Sequence, residues 1–231
     1  MTDRAFDFSI IIPAYNEAGS IGPVLERLAA HLGGLGKTYE ILVVVDGATD
    51  DTAEQARAIA ADIRVIEHPY NMGNGAGVKT GIRKARGEIL VFMDADGQHD
   101  PKLIPELISL ANNDFSLVIG SRFIDGGETP DFSIWRKFLS IFGNWLVRNL
   151  GGVKSVKDCT SGFRCIKADL ISKCDFDYLS TRGYSFQSSL VYELIRHGAT
   201  PIEVPIIFRD RAKGNSKLTL TDQIEFLINV G

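Results

Sequence analysis

The chain has 231 residues, 45% of them hydrophobic, enough to fill one large core or two small ones. A net charge of −4 and a pI near 5.6 argue against nucleic acid as a partner, and no stretch reaches the roughly 18 uninterrupted apolar residues of a membrane span. Cys159, Cys165 and Cys174 form no CxxC pair and read as reduced thiols, and the polar start Met1–Asp7 lacks the apolar centre of a signal peptide.

The first half alternates strand and helix signals. Phe8–Pro13 reads as a strand, Ser20–Leu32 as a helix, Tyr39–Asp46 as a strand and Asp51–Ala61 as a helix. Ile63–Glu67 is a short strand, Gly75–Ala85 a helix, Glu88–Asp94 a strand, Pro101–Ala111 a helix and Phe115–Gly120 a strand. Runs such as Ile41–Val45 are apolar throughout, as in a parallel sheet covered on both faces, so the pattern predicts an α/β layered fold. Past residue 121 the rhythm changes: a Gly-containing loop at Phe123–Pro130, an amphipathic helix at Ser133–Leu150 and a loop with Asp158–Arg164. Then come a helix at Gln187–His197, a strand at Pro201–Phe208, a basic segment at Arg209–Lys217 and a helix at Leu218–Val230.

Acidic and polar residues gather where strands end. Strand one runs into Pro13-Ala14-Tyr15-Asn16-Glu17, strand two into Asp46-Gly47-Ala48-Thr49-Asp50-Asp51, and the fourth into Asp94-Ala95-Asp96-Gly97-Gln98-His99. In an open α/β sheet that edge is the ligand edge. If the extended form persists past Met93, Asp94, Asp96 and Gln98 share one face, and two carboxylates with an amide oxygen suit Mg²⁺ or Mn²⁺. The alternative is a solvated acidic loop with Asp100 capping the next helix. Arg122, after Gly120-Ser121, cannot balance so many carboxylates alone, which favours a cation held together with an anionic ligand. The stretch Gly73-Asn74-Gly75-Ala76-Gly77-Val78-Lys79-Thr80 fails both the P-loop and dinucleotide spacings. It reads as a loop and helix start lying close to a ligand or a neighbouring strand.

Trp135, Phe138, Leu139, Phe142, Trp145 and Leu146 give the Ser133–Leu150 helix a broad apolar stripe beside Arg136, Lys137 and Arg148. The stripe suits a core-facing helix or one lying in a membrane interface. Arg164 reads as a structural ion pair and His99 as packing beside the acidic loop.

Taken in order, Pro13–Glu17, Asp46–Asp50, Asp94–His99, Gly120–Arg122, Thr160-Ser161-Gly162-Phe163-Arg164 and Gly214-Asn215-Ser216-Lys217-Leu218 resemble the family 2 glycosyltransferases. The likeness is to the branch of dolichol-phosphate mannose synthase and the polyprenyl-phosphate glycosyltransferases, from Phe8 to about Leu220. It implies a GT-A fold as one catalytic domain, with a nucleotide-binding half at about 1–122 and an acceptor-binding half at about 123–220. It implies inverting transfer of a hexose, mannose or glucose, from GDP-mannose or UDP-glucose to a polyprenyl or dolichyl phosphate. It also implies a cytoplasmic protein, peripheral at the cytoplasmic membrane face, with 218–231 as a helix leading toward a membrane segment absent from this chain.

Carried onto matching positions, Pro13, Tyr15, Glu17, Asp46 and Asp94 would hold the nucleotide; Asp94, Asp96 and Gln98 the metal; and Arg122 the donor phosphates, with Asp96 and Arg122 carrying the reaction. Arg136, Ser140, Arg211 and Lys217 would face the acceptor phosphate. That acceptor is already an anion, so no strong base is needed. The chain departs from the pattern at Val45, where the family has a first Asp, and at Asn74, where Lys is frequent. Two other functions fit parts of the pattern. A processive polysaccharide synthase would need a Gln-x-x-Arg-Trp helix, which Gln187–Val191 does not supply. A non-catalytic nucleotide-sugar binding protein would have no use for the acceptor residues.

Overall fold

The computed structural model describes residues 4–60, 63–176, 179 and 185–209. All seven strands join one sheet in the order β3-β2-β1-β4-β6-β5-β7. They are β1 (Phe6–Ala14), β2 (Tyr39–Asp46), β3 (Ile63–His68), β4 (Gly87–Phe92), β5 (Leu117–Ser121), β6 (Arg164–Lys167) and β7 (Pro201–Pro205). Strands β1 to β4 run parallel, β5 pairs parallel with β7, and β6 lies antiparallel between β4 and β5. The helices among the described residues are α1 (Ile21–Leu32), α2 (Thr52–Ile59), α3 (Asn74–Lys84), α4 (Ile104–Asn112), α5 (Ile134–Leu150), α6 (Ala168–Ile171) and α7 (Ser185–Arg196). The elements expected up to residue 121 all form, with boundaries shifted by one to two residues. The helix expected from Pro101 starts as a single 3-10 turn, Pro101–Leu103, in which the Asp100 side chain accepts from Lys102 N–H.

The central strands are buried on both faces because both carry helices. On β1, Phe8, Ile10 and Ile12 face one layer with Val24, Leu25 and Leu28 of α1, while Ile11 faces the other with Val78 of α3 and Leu190 and Leu194 of α7. In α1 the buried positions Ile21, Val24, Leu25, Leu28 and Leu32 recur at helical spacing, which is why this segment forms a helix with one covered stripe. Helix α3 comes unusually close to the sheet. A Cβ at Gly81 would sit 2.3 Å from Ile11 Cγ2, and one at Gly75 would sit 2.8 Å from the Phe186 ring. The glycine-rich stretch therefore serves close packing on β1 and α7, the neighbouring-strand reading of its sequence.

Strand β6 and the short α6 are additions to the expected pattern: Asp158–Arg164 reads as a loop, and Arg164-Cys165-Ile166-Lys167 offers two apolar residues between two cations. The antiparallel course of β6 brings Phe163 and Arg164 to the same edge where β1, β2 and β4 end. No helix among the described residues is long and apolar enough to cross a membrane. The helix expected at Leu218–Val230 lies outside the described residues.

Candidate active site

The loops after β1 and β2 are knitted by short polar side chains. Thr49 N–H donates to Asn16 Oδ1 at 2.8 Å, Ala18 N–H to Asp50 Oδ2 at 3.1 Å, and Glu17 N–H to Thr52 Oγ1 at 2.8 Å. Asn16 takes a left-handed φ of 53°, which Asn tolerates better than most residues. Pro13, Tyr15 and Glu17 are thereby held half-buried at the lip of the sheet, and the Glu17 carboxylate accepts the Ser20 hydroxyl at 2.6 Å.

Asp46 is held by the neighbouring strand and loop. Its carboxylate is buried and turned inward: Oδ1 accepts from Met72 N–H (3.0 Å) and His68 Nδ1 (2.6 Å), and Oδ2 from Gly73 N–H (2.7 Å). Asp46 and His68 are register partners on β2 and β3, which places them side by side. With Nδ1–H given to a carboxylate, which only accepts, the other ring nitrogen, Nε2, meets the Thr80 hydroxyl at 2.8 Å. Asp46 thus fixes the backbone of the 71–73 loop. The next residue, Gly47, has φ +63°, and a Cβ there would lie 2.1 Å from the Tyr70 carbonyl carbon, so only glycine lets the two loops touch.

The acidic turn after β4 is also built differently from the expectation. The strand ends at Phe92 and residues 95–97 turn, with Gly97 at φ +80°, so Asp96 and Gln98 arrive by a turn and not by strand alternation. The turn is closed by His99, buried and stacked on Phe163 at 4.9 Å. Its Nδ1 accepts from Asp94 N–H at 3.1 Å, which leaves the ring hydrogen on Nε2, 3.7 Å from Asp94 Oδ2. His99 accordingly packs and orients the loop, as expected. Gln98 N–H donates to Asp96 Oδ1 (3.1 Å), and Gln98 Nε2 donates to the Arg209 carbonyl.

The donor set suits a hard divalent cation. Asp94 and Asp96 are both half-buried carboxylates at one turn, with the Gln98 amide beside them. Gly162 lies against Asp94 so closely that a Cβ would stand 3.0 Å from Oδ1 and 3.1 Å from Oδ2, so the cradle is shaped around that carboxylate.

Arg122 is engaged by Asp158. Asp158 Oδ2 accepts Arg122 N–H (3.0 Å) and Nε (2.8 Å), and Oδ1 accepts Nη2 (2.8 Å); the same Nη2 donates to Thr160 Oγ1 at 2.7 Å. The Asp158 side chain is fully buried. Burial opposes its charge, but the Arg122 guanidinium and the Thr160 hydrogen bonds outweigh that and hold the carboxyl below its ordinary range. Because Asp158 matches the charge of Arg122, Arg122 does little to neutralise Asp94 and Asp96, which strengthens the case for a cation. Arg164, expected in an ion pair, is fully buried and donates to the backbone carbonyls of Ser161 and Gln187, with no carboxylate accepting from it among the described residues. Burial pulls it down to about 10, against the opposing charge of Asp158.

Helix α5 has its polar side inward. Trp135, Phe138, Phe142 and Trp145 are 43–68% exposed and stack one on the next at 5.8–6.1 Å. Of the two readings of the stripe, the core-facing one is excluded. The inward face carries Arg136, Ser140 and Asn144, spaced by four. Asn144 Nδ2 donates to Ser140 O (3.0 Å) and Thr160 Oγ1 (3.2 Å), and its Oδ1 accepts Cys159 N–H (2.8 Å). The Arg136 guanidinium lies 3.8 Å from the Phe132 ring centroid. Thr160 therefore joins α5 to Arg122 and Asp158, two residues from Gly162 and the Asp94 turn. Arg211 and Lys217 lie outside the described residues. Sequence reasoning missed Asp158, Asn144 and Gly162 as working parts, although Asn144 continues the 136–140 spacing and could have been found there.

The sequence matches the profile of glycosyl transferase family 2 over residues 9–174. It is 34% identical to the undecaprenyl-phosphate mannosyltransferase of Micrococcus luteus, covering 95% of this chain and 90% of that protein. It is 31% identical to the dolichol-phosphate mannosyltransferase of Pyrococcus furiosus over 96% of this chain, and spans 62% of that relative's length. The fold matches the crystal structure of glucosyl-3-phosphoglycerate synthase from Mycobacterium tuberculosis in complex with Mn²⁺, UDP and phosphoglyceric acid, with a TM-score of 0.72 over 98% of this chain and 78% of that one at 20% identity. The sheet and its helices are a GT-A fold. The chain belongs to glycosyl transferase family 2.

Proposed function

We propose that the chain transfers a mannosyl group from a nucleoside-diphosphate sugar, GDP-mannose in preference to UDP-glucose, to a polyprenyl phosphate with inversion at the anomeric carbon. One observation carries this reading. The inward face of α5 sets Arg136 and Ser140 in line with Asn144, which is tied through Thr160 to the loop lying on Asp94, while the outward face is an exposed aromatic ridge. A phosphate-binding face backed by an apolar ridge fits an acceptor whose head is an anion and whose tail is in a bilayer. The relatives named for undecaprenyl-phosphate and dolichol-phosphate mannosyl transfer support that acceptor class and that sugar.

In this reading the protein sits peripherally on the cytoplasmic membrane face through α5, as one catalytic domain with Pro13, Tyr15, Glu17 and the 71–73 loop held by Asp46 lining the nucleoside end. Asp94, Asp96 and Gln98 would hold Mg²⁺ or Mn²⁺, which when bound would supply positive charge for the leaving diphosphate. The mycobacterial synthase of similar fold, in complex with Mn²⁺ and UDP, supports the choice of metal. Arg122 is held in place by Asp158 at the end of β5, and Arg211 and Lys217 supply the cationic phosphate contacts.

The test is transfer of labelled mannose and glucose from GDP- and UDP-sugars to a short polyprenyl phosphate, with Mg²⁺, Mn²⁺ or EDTA. Mannosyl polyprenyl phosphate should form from GDP-mannose, and EDTA or Asp96→Ala should abolish it with the fold intact. Product from a sugar hydroxyl acceptor only would point to a polysaccharide synthase. Donor binding without any transfer would point to a binding protein. Full activity in EDTA would remove the metal from the reading.

A further inference from the structure

A second cluster of metal-binding side chains lies away from the acidic turns. Helix α7 starts beside the site, where Gln187 O accepts from Arg164, and runs roughly 15 Å to His197 at the opposite edge of the sheet, at about 1.5 Å per residue. There one ligand atom each of Cys174, Glu193 and His197 lie within 4.8 Å of one another. Glu193 and His197 are four apart and face the same side. Cys174 comes from the turn after α6, with its thiol donating to Leu170 O at 3.5 Å.

The Glu193 side chain is only 2% exposed, an uncommon place for a carboxylate. Arg196 Nη1 stands 3.3 Å away on a side chain that is more than half exposed, and His197 Nδ1 at 3.2 Å. Nothing in the transfer reaction uses these residues.

We propose that Cys174, Glu193 and His197 form a site for a thiophilic divalent cation, Zn²⁺ by its chemistry, separate from the Asp94–Asp96 turn. A thiolate, an imidazole and a carboxylate are the sulfur, nitrogen and oxygen ligands that Zn²⁺ takes, whereas Mg²⁺ prefers oxygen alone. Bond lengths of about 2.0–2.3 Å place neighbouring ligands of a tetrahedral Zn²⁺ roughly 3.3–3.8 Å apart, so closure needs side-chain shifts on the order of 1 Å. The fourth position is left to water.

Burial first, and then Glu193, push the Cys174 thiol up to about 11, so binding must displace its proton to solvent, one for each cation. The cation then turns the conflict between thiolate and carboxylate into shared coordination. It also staples the turn after α6 to the end of α7, which makes the site structural.

The test uses untagged, chelator-stripped protein titrated with Co²⁺, followed by absorbance. A thiolate-to-cobalt charge-transfer band and tetrahedral visible bands should saturate at one equivalent and be bleached by Zn²⁺. Cys174→Ser should lose the charge-transfer band, and Asp96→Ala should keep it. Should Cys174→Ser fail to fold, His197→Gln decides: cobalt affinity should fall at least tenfold. No thiolate band in the wild type, a full band in Cys174→Ser, or unchanged affinity in His197→Gln would overturn the proposal. Hexose transfer with Mg²⁺ or Mn²⁺ is measured separately, so failure here leaves the proposed reaction untouched.

Discussion

Asp158→Asn is the sharpest test of how the site is held. The substitution keeps the shape of the side chain but removes its charge and turns an amide NH₂ toward the Arg122 guanidinium. Asp158 is buried and accepts three hydrogen bonds from Arg122. Removing one partner of a buried pair costs about 3–5 kcal/mol, because the remaining charge stays buried without its counter-charge. For a chain of this size each kcal/mol lowers Tm by roughly 2–4 °C, so a fall of about 6–20 °C is expected. Urea unfolding should agree, with the midpoint falling by roughly 1–1.7 M at a slope near 3 kcal/mol per molar.

Arg122→Met alone should also destabilise, and the double variant should recover at least about 2 kcal/mol relative to the sum, since neither charge is then stranded. The folded carboxyl lies below its ordinary value of 3.8, so its contribution is complete above that pH and lost as pH falls through the lower folded value. The gap between wild type and Asp158→Asn should therefore be flat from about pH 5 to 7 and close only in stronger acid. A Tm within about 2 °C of wild type, or single variants whose effects simply add, would refute the pairing as the main support of the 156–163 loop.

Three further outcomes are expected. Gly162→Ala should press on the Asp94 carboxylate and reduce transfer by about 10- to 100-fold with Tm lowered by only a few degrees, because its Cβ meets the oxygens at 3.0 and 3.1 Å; wild-type turnover would show that the cradle has slack. Arg136→Ala should raise the acceptor KM by about 10- to 150-fold, the value of a charge-assisted phosphate contact of roughly 1.5–3 kcal/mol, while donor affinity holds; loss of donor affinity instead would move Arg136 to the nucleotide end of the cleft. Gly81→Ala should cost about 1–3 kcal/mol by calorimetry or urea titration, because the added methyl would lie 2.3 Å from Ile11 Cγ2; an unchanged midpoint would mean that α3 can lift from β1 freely.

The parallel half of the fold was legible because burial on both faces leaves an unmistakable record: five successive apolar residues at Ile41–Val45, flanked by turn formers. Strand β6 was not, since its four residues begin and end with cations and its register comes from β4 and β5, both distant in sequence. The order of the acidic turns along the chain gathered them at one edge of the sheet, but did not give the direction in which each side chain aims. Asp46 looks like its neighbours in sequence, and only the alignment of β2 with β3, which sets His68 opposite, shows why it turns inward. Arg122 is a similar case. A cation at a strand end gives no sign of its partner until the β6 approach brings Asp158 beneath it. Spacing on α5 did identify a row of polar residues on one face, because positions four apart on a helix share a side whatever the surroundings.

The ridge on α5 has a practical consequence for the isolated protein. Four stacked rings, with Ile134 90% exposed beside them, present water with an apolar strip of a kind that soluble monomers rarely leave open. In dilute buffer such a strip drives concentration-dependent self-association and adsorption to surfaces. Detergent below its micelle concentration should already coat it. The colloidal behaviour of a preparation, more than the stability of its core, will then decide whether the purified protein remains dispersed.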